Sequence, residues 1–203
     1  MRQLKFNNDD KGREEWLNSR LGRISGTRVK DVITKRSNTP KKGFYELIAE
    51  RIAIPASDEN RMDRGLRLED EAIARFSSET GKKVCVDLVL WYREDNENIA
   101  CSPDGVIGED EAVEVKCLNT ASHIEAYITK DVPKEYEDQI TQYFVVNDKL
   151  ETLYMVFYDP RCPKDFFYFE IKRSNVQEKV ADYLVQETDA LNRIEEIIKE
   201  MVF

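Results

Sequence analysis

Helical spacing opens the chain: Arg13–Arg20 sets polar residues around one apolar anchor, Trp16. In Ile24-Ser25-Gly26-Thr27 two hydroxyls stand ready to cap a second helix over Arg28–Ile33. Ser37-Asn38-Thr39-Pro40 reads as a loop. Phe44, Leu47, Ile48 and Arg51 then give helical spacing to Phe44–Ile52, and Pro55–Asn60 breaks it. A long helix over Arg64–Ser78 turns Leu66, Ala72, Ile73 and Phe76 inward. After Thr80-Gly81 the period becomes that of strands: Val84–Tyr92, Ile99–Ser102 and Ala112–Cys117, with turns at Glu94–Asn98 and Pro103-Asp104-Gly105. Helices return at Ala121–Thr129 and Pro133–Asn147, and Asp159-Pro160-Arg161 joins two further strands, Leu153–Tyr158 and Phe166–Lys172. The closing segment aligns Val176, Val180, Tyr183, Leu191, Ile194 and Ile198 on one helical face. No repeat or linker interrupts this order. The expectation is an α/β chain, one domain over residues 1–203, with a central mixed β-sheet flanked by helices.

Composition narrows the class. With 41% hydrophobic and 35% charged residues among 203, the chain can bury a core, which excludes wholesale disorder, a collagen repeat and a disulfide scaffold. The apolar run Val84–Tyr92 is broken by Asp87 and no run approaches the roughly 20 residues that span a bilayer. Met1–Asp10 lacks the apolar block of a secretory signal, so a soluble, cytoplasmic protein without a membrane partner is expected. Cys85, Cys101, Cys117 and Cys162 form no Cys-x-x-Cys pair and His123 is the lone histidine, so zinc spacing is absent and buried reduced thiols are expected. The net charge of -9 hides a strong asymmetry. Between Arg28 and Lys42 there are six bases against one acid, whereas Ser174–Phe203 carries seven acids against three bases. The basic stretch, including Arg28 and Lys30, is a candidate nucleic-acid contact; the acidic tail reads as solvated surface.

The chemistry concentrates in Cys101-Ser-Pro-Asp104-Gly-Val-Ile and Val113-Glu114-Val115-Lys116-Cys117. Glu114 and Lys116 are two apart in a strand and share a face, while Val113, Val115 and Cys117 take the other. An Asp in a tight turn at a neighbouring strand end can converge with them. Two or three carboxylates suit a hard divalent cation, with water and phosphate completing its shell, and a lysine alongside can stabilise charge or orient a water. Glu69, upstream on the long helix beside Asp70 and Glu71, supplies the third carboxylate. Each half of this pattern is also ordinary turn or strand chemistry, and only the ordered whole is specific.

Asp104…Glu114-x-Lys116 resembles the core motif of the PD-(D/E)xK nuclease superfamily. More narrowly, the chain resembles the phage lambda exonuclease-like (YqaJ-type) alkaline exonucleases. The similar pieces are Trp16-x-x-x-Arg20-Leu-Gly-x-Ile24-Ser-x-Thr27, Gly65-x-x-x-Glu69, Ala100-Cys-Ser-Pro-Asp-Gly105, Glu114-x-Lys116-Cys117, Gln139-x-x-x-Tyr143 and Tyr158-Asp-Pro-Arg161. The resemblance implies a restriction-endonuclease-like fold and 5′→3′ digestion of one strand of linear double-stranded DNA, leaving 3′ single strands for phage or prophage recombination. It implies Mg²⁺, with Mn²⁺ as an alternative, held by Asp104, Glu114, Glu69 and the Val115 carbonyl, with Lys116 beside the attacking water. It places a 5′-phosphate pocket at Arg20, Ser25, Thr27, Ser102 and Gln139, and a base-pair wedge near Met62. A homotrimeric ring around DNA and a single-strand annealing protein are the implied partners, with Arg28 and Lys30 facing the DNA. The chain departs from the family pattern at Thr27, where serine is commoner, at Leu118, where proline often follows, and in the spacing of Gln139 and Gln142. A PD-(D/E)xK endonuclease and a non-catalytic DNA-binding module remain open alternatives here.

Overall fold

The computed structural model describes residues 1–33, 44, 47, 63–118, 120–160 and 162–202, with backbone alone at 63–67, 120 and 121. The expected helix Phe44–Ile52 lies outside the described residues except for Phe44 and Leu47, both helical and buried. Pro55–Asn60, Met62, Arg161 and the bases Lys35, Arg36, Lys41 and Lys42 also lie outside them, as does the side chain of Leu66.

The observed order is β1 (Arg2–Phe6), α1 (Asp10–Ser19), α2 (Val29–Val32), α3 (Asp63–Thr80), β2 (Leu88–Tyr92), β3 (Ala100–Cys101), β4 (Gly105–Ile107), β5 (Glu111–Lys116), α4 (Thr120–Thr129), a 3-10 turn Lys134–Tyr136 leading into α5 (Glu137–Val146), β6 (Thr152–Tyr158), β7 (Phe166–Lys172) and α6 (Arg173–Val202). The mixed sheet runs β4-β5-β6-β7, with β5 and β6 parallel and the outer pairs antiparallel. A parallel pair needs a long crossover, and α4 and α5 provide it. A second, antiparallel sheet runs β1-β2-β3.

The sequence reading left Met1–Asp10 without an element, yet Arg2–Phe6 is a strand. Its burial is almost entirely that of exposed positions, so no buried alternation marks it; pairing with β2 makes it a strand. The expected strand Val84–Tyr92 is divided. Cys85 bridges Val106 of the mixed sheet, and only Leu88–Tyr92 pairs within the other. Gly105, expected to close the turn Pro103-Asp104-Gly105, instead begins β4, which pairs Gly105–Ile107 with Glu111–Val113. The expected hydroxyl caps of α2 are absent as well: Arg28 is its N-cap, with no side-chain cap bond. Of the four free cysteines only Cys101 is buried and Cys85 is exposed, because the bridge that holds Cys85 is isolated.

Two apolar layers sandwich the mixed sheet. Val113 and Val115 of β5 pack with Tyr154 and Val156 of β6 against Ala72, Ile73 and Phe76 of α3. The other layer joins Ala112, Leu153, Met155 and Phe157 to Ile140, Tyr143 and Phe144 of α5 and to Val176, Tyr183, Leu191 and Ile194 of α6. Of the expected inward positions, Ala72, Ile73, Phe76, Val176, Tyr183, Leu191 and Ile194 are buried, and Val180 and Ile198 are half-buried against the same core. Among the described residues no helix is long and apolar enough to cross a membrane.

Gln142 and Glu187 are buried polar residues of that second layer. Gln142 Nε2 donates to the carbonyls of Ile24 (3.2 Å) and Ala100 (3.4 Å) and to Glu187 Oε2 (3.3 Å). Gln142, whose role its spacing left undefined, thus ties α5 and α6 to the bridge between Ile24 and Ile99. Glu187 lies on the apolar face of α6, wholly buried, so the acidic tail is not solvated throughout. One carboxyl oxygen of Glu187 and the amide oxygen of Gln142 have no hydrogen-bond partner among the described residues.

Burial pushes the Glu187 carboxyl up to about 8, against the Gln142 hydrogen bond and the Arg93 charge. The folded state therefore favours its protonated form. That contribution is fully present below the ordinary carboxylate value and is lost as pH rises toward 8. Glu187→Gln removes the titration. Its stability relative to wild type is expected to rise from pH 5 and level off above pH 8, by a differential on the order of 4 kcal/mol, with its melting temperature rising in step. Thermal denaturation at several pH values checks this; a pH-independent difference contradicts it.

Candidate active site

Glu114 sits at the centre of β5, where the alternation that sends Val113 and Val115 to α3 sends Glu114 toward α5. A carboxylate buried to this degree demands donors. Lys116 Nζ donates to its Oε1 at 2.6 Å. The same oxygen accepts from Gln139 Nε2, and Oε2 accepts from the Tyr143 hydroxyl. Gln139 and Tyr143 are four apart and so project from one face of α5 onto Glu114. The Tyr143 hydroxyl also lies 3.0 Å from the Ser102 carbonyl oxygen, and its ring packs edge-on to Trp91. Tyr143 was part of a motif but had no assigned role; its spacing from Gln139 was the available signal.

Asp104 reaches the same place from the turn before β4. Its Oδ2 accepts from the Val115 N–H at 2.7 Å, which fixes the loop to β5. Glu69 comes from α3 on the other side of the sheet. The Glu69 carboxyl is held above its ordinary value by burial first and by the Glu114 charge second, while Arg13 and Lys116 pull it down. Asp104 is pushed well up by burial, then by Glu114 and Glu69. Burial works against the Lys116 ammonium, but Glu114, Asp104 and Glu69 together hold it above its usual value. Lys116 also stands over the Tyr136 ring, 4.8 Å from its centroid.

Asp104, Glu114, Lys116 and Glu69 are thus brought within electrostatic reach of one another. Asp70 and Glu71, neighbours of Glu69, are exposed, and Glu71 accepts instead from the Tyr158 hydroxyl. Three oxygen-donor carboxylates with one ammonium suit a hard divalent cation, and at Asp104 and Glu69 a cation would relieve both the burial and the neighbouring negative charge that hold their carboxyls up. Among the described residues no three of these side chains already stand in a coordinating arrangement, and Lys116 and Gln139 both donate to Glu114 Oε1. The donor set fits a cation; its present partners are protein groups.

The residues expected around a phosphate lie nearby. The parallel bridge Ile24–Ile99, closed by Ile24 N–H to Asn98 O at 2.8 Å and Ala100 N–H to Ile24 O at 2.9 Å, holds Ser25 and Thr27 beside β3. Their hydroxyls face each other at 3.4 Å. A side chain at Gly26 would meet Gln139 Cγ at 3.2 Å, so this loop lies directly over Gln139. The Ser102 hydroxyl is buried with no hydrogen-bond partner among the described residues. Arg20, the C-cap of α1, stacks its guanidinium on Trp16 at 4.7 Å. Arg28 and Lys30 lie at the start of α2. His123, given no role, is buried with Nε2 at 2.8 Å from the Lys164 carbonyl.

Residues 15–150 match the YqaJ-like viral recombinase domain family. The chain belongs to this family. Its fold superposes on the crystal structure of an alkaline exonuclease (LHK-Exo) from Laribacter hongkongensis with a TM-score of 0.82 and 30% identity, covering 93% of this chain and 95% of that one. LHK-Exo in complex with dAMP gives a TM-score of 0.80 at the same identity and coverage. No curated protein matches the chain.

Within this YqaJ-like site, Tyr143→Phe keeps the ring and removes one donor from a buried carboxylate. It is expected to lower stability by about 1–3 kcal/mol and to weaken Mg²⁺ or Ca²⁺ binding roughly 10- to 100-fold. Thermal denaturation and calorimetric titration measure the two effects; wild-type values in both would contradict the role given to the hydroxyl.

Proposed function

We propose that this YqaJ-family chain is a divalent-metal-dependent exodeoxyribonuclease that removes nucleotides 5′→3′ from one strand of linear duplex DNA, starting at a 5′-phosphate and leaving 3′ single strands for recombination. Its family and its match to an alkaline exonuclease make it a DNA exonuclease. The finer reading rests on one juxtaposition. The Asp104, Glu114, Glu69 and Lys116 group stands next to Ser102, whose buried hydroxyl lacks a partner among the described residues.

In this reading Asp104, Glu114, Glu69 and the Val115 carbonyl hold Mg²⁺, or Mn²⁺ in its place. The bound cation would supply an activated water and neutralise charge on the scissile phosphate. Tyr143 and Gln139 keep the Glu114 carboxylate oriented, and the Val115 N–H does the same for Asp104. Lys116, released from Glu114, orients the attacking water and stabilises the developing negative charge. The Arg20 fork and the Ser25, Thr27 and Ser102 hydroxyls suit a terminal phosphate. Gln139 can join them, because its amide carries a second N–H beyond the one given to Glu114. The dAMP in the LHK-Exo complex, a mononucleotide, agrees with such a product. Arg28 and Lys30 then face the duplex, and Met62 serves as the wedge at the end of the pairs. The whole of residues 1–203 acts as one nuclease unit, in the cytoplasm, as a homotrimeric ring partnered by a single-strand annealing protein.

Digestion of linear duplex with a 5′-phosphate, linear duplex with a 5′-hydroxyl and a closed circle tests the reading. Fast loss of the phosphorylated linear DNA alone is expected. EDTA should abolish it, and Lys116→Ala should slow it at least about 100-fold. Cutting of the circle would instead favour an endonuclease, and no metal-dependent cutting of any of the three would overturn the nuclease reading. In solution the mass should be that of three chains; a strict monomer contradicts the ring.

A further inference from the structure

We propose that Arg13 binds a backbone phosphate of the DNA strand adjacent to the scissile one, in a cleft next to the Asp104 and Glu69 carboxylates. This rests on the nuclease reading above. The cleft, about 220 Å³, is lined by Arg13 and Trp16 of α1 on one side and by Glu69, Pro103 and Asp104 on the other. Arg13, Trp16 and Arg20 are spaced i, i+3 and i+7, one face of a helix. Trp16 is fixed by its Nε1–H, which donates to the Val89 carbonyl at 3.2 Å. Both guanidiniums rest on that ring, Arg13 at 5.9 Å and Arg20 at 4.7 Å from its centroid. Two turns of helix separate their Cα atoms by about 10 Å. One indole thus holds two guanidinium forks that address different phosphates.

Arg13 is the less satisfied of two kinds of cleft wall. Four acids line the cleft: Asp104 accepts from the Val115 N–H, Asp87 pairs with Lys5 at 3.1 Å, Glu69 belongs to the cation set and is stabilised by the Arg13 charge without an ion-pair contact, and Asp70 is exposed. Arg13 forms no ion pair among the described residues, and its Nε is buried there without an acceptor. An Arg held against an aromatic face with open N–H donors takes a planar oxyanion. Phosphate is the oxyanion present on every DNA strand. Carboxylates opposite would repel a phosphate by themselves, so the contact forms when a divalent cation is bound between them. Arg13 lies outside every motif by which the chain resembles its family, and neither its type nor its spacing from the acids marks it in the sequence.

The test is fluorescence anisotropy of a 5′-phosphorylated duplex in Ca²⁺, over a range of salt, with steady-state digestion in Mg²⁺ alongside. Arg13→Gln is expected to raise Kd and KM about 5- to 20-fold, to leave kcat within about 2-fold, and to reduce the salt slope by about one phosphate contact. Lys11→Gln removes the same charge from the exposed side of α1 and should leave the slope as in wild type. A folded Arg13→Gln with wild-type Kd and slope overturns the proposal, as does a Lys11→Gln that matches its loss. If Arg13→Gln does not fold, Arg13→Lys carries the test. It retains the charge and loses the fork, so a several-fold rise in Kd with an unchanged slope is expected and wild-type affinity overturns the contact. A wild-type chain that neither binds nor digests duplex overturns the nuclease reading itself, whereas a competent wild type with an indifferent Arg13 overturns this inference alone.

Discussion

A carboxylate buried at the middle of a sheet has to be answered by donors, and the Glu114 carboxylate organises much of this molecule through that requirement. Leaving such a group unpaired would cost several kcal/mol. Three donors meet it: Lys116 two residues along the same strand, and Gln139 and Tyr143 from α5. That arrangement dictates where α5 lies, which way it faces, and how closely the loop at Gly26 can approach. It also ties Ser102 to the site, because the Tyr143 hydroxyl lies between Glu114 and the Ser102 carbonyl. An apolar residue at position 114 would fit the layer better, which is why a charge maintained there points to chemistry.

The two faces of β5 divide the labour. Val113 and Val115 anchor α3, and α3 in turn carries Glu69 to the end of the strand. The opposite face meets α5 and α6, where Gln142 and Glu187 form a second buried polar pair. Glu114, with Gln139 and Tyr143, meets Lys116 at the candidate site. The second pair is oriented toward the backbone of Ile24 and Ala100 and so fixes the segment that presents Ser25 and Thr27. Packing and chemistry are joined through α5: Gln139 and Tyr143 serve one, Gln142 the other.

Much of this was legible in the residues. Glu114 and Lys116 at strand spacing, and the apolar stripes of α3 and α6, follow from periodicity alone. The acids Asp104 and Glu69 needed the ordered motif, since a turn Asp and a helical Glu are common. What escaped the sequence escaped for physical reasons. Arg2–Phe6 is a strand because β2 pairs with it, not because of any buried alternation. Val84–Tyr92 is one apolar run that serves two sheets, and no local pattern encodes where it divides. Ser25 and Thr27 had the look of caps, but α2 starts at Arg28 without them. Glu187 was counted among surface acids because its position on the apolar face becomes decisive only once α6 is packed.

The proposed cation site requires the Lys116 ammonium to yield Glu114 to a divalent cation shared with Asp104, while Gln139 and Tyr143 stay on that carboxylate. Anomalous diffraction from crystals soaked in Mn²⁺ tests it most directly. The account predicts a manganese peak bonded to Asp104 and Glu114, with Lys116 Nζ moved away from the 2.6 Å contact it holds without metal. Crystals that take up manganese elsewhere, with Lys116 still seated on Glu114, would contradict it.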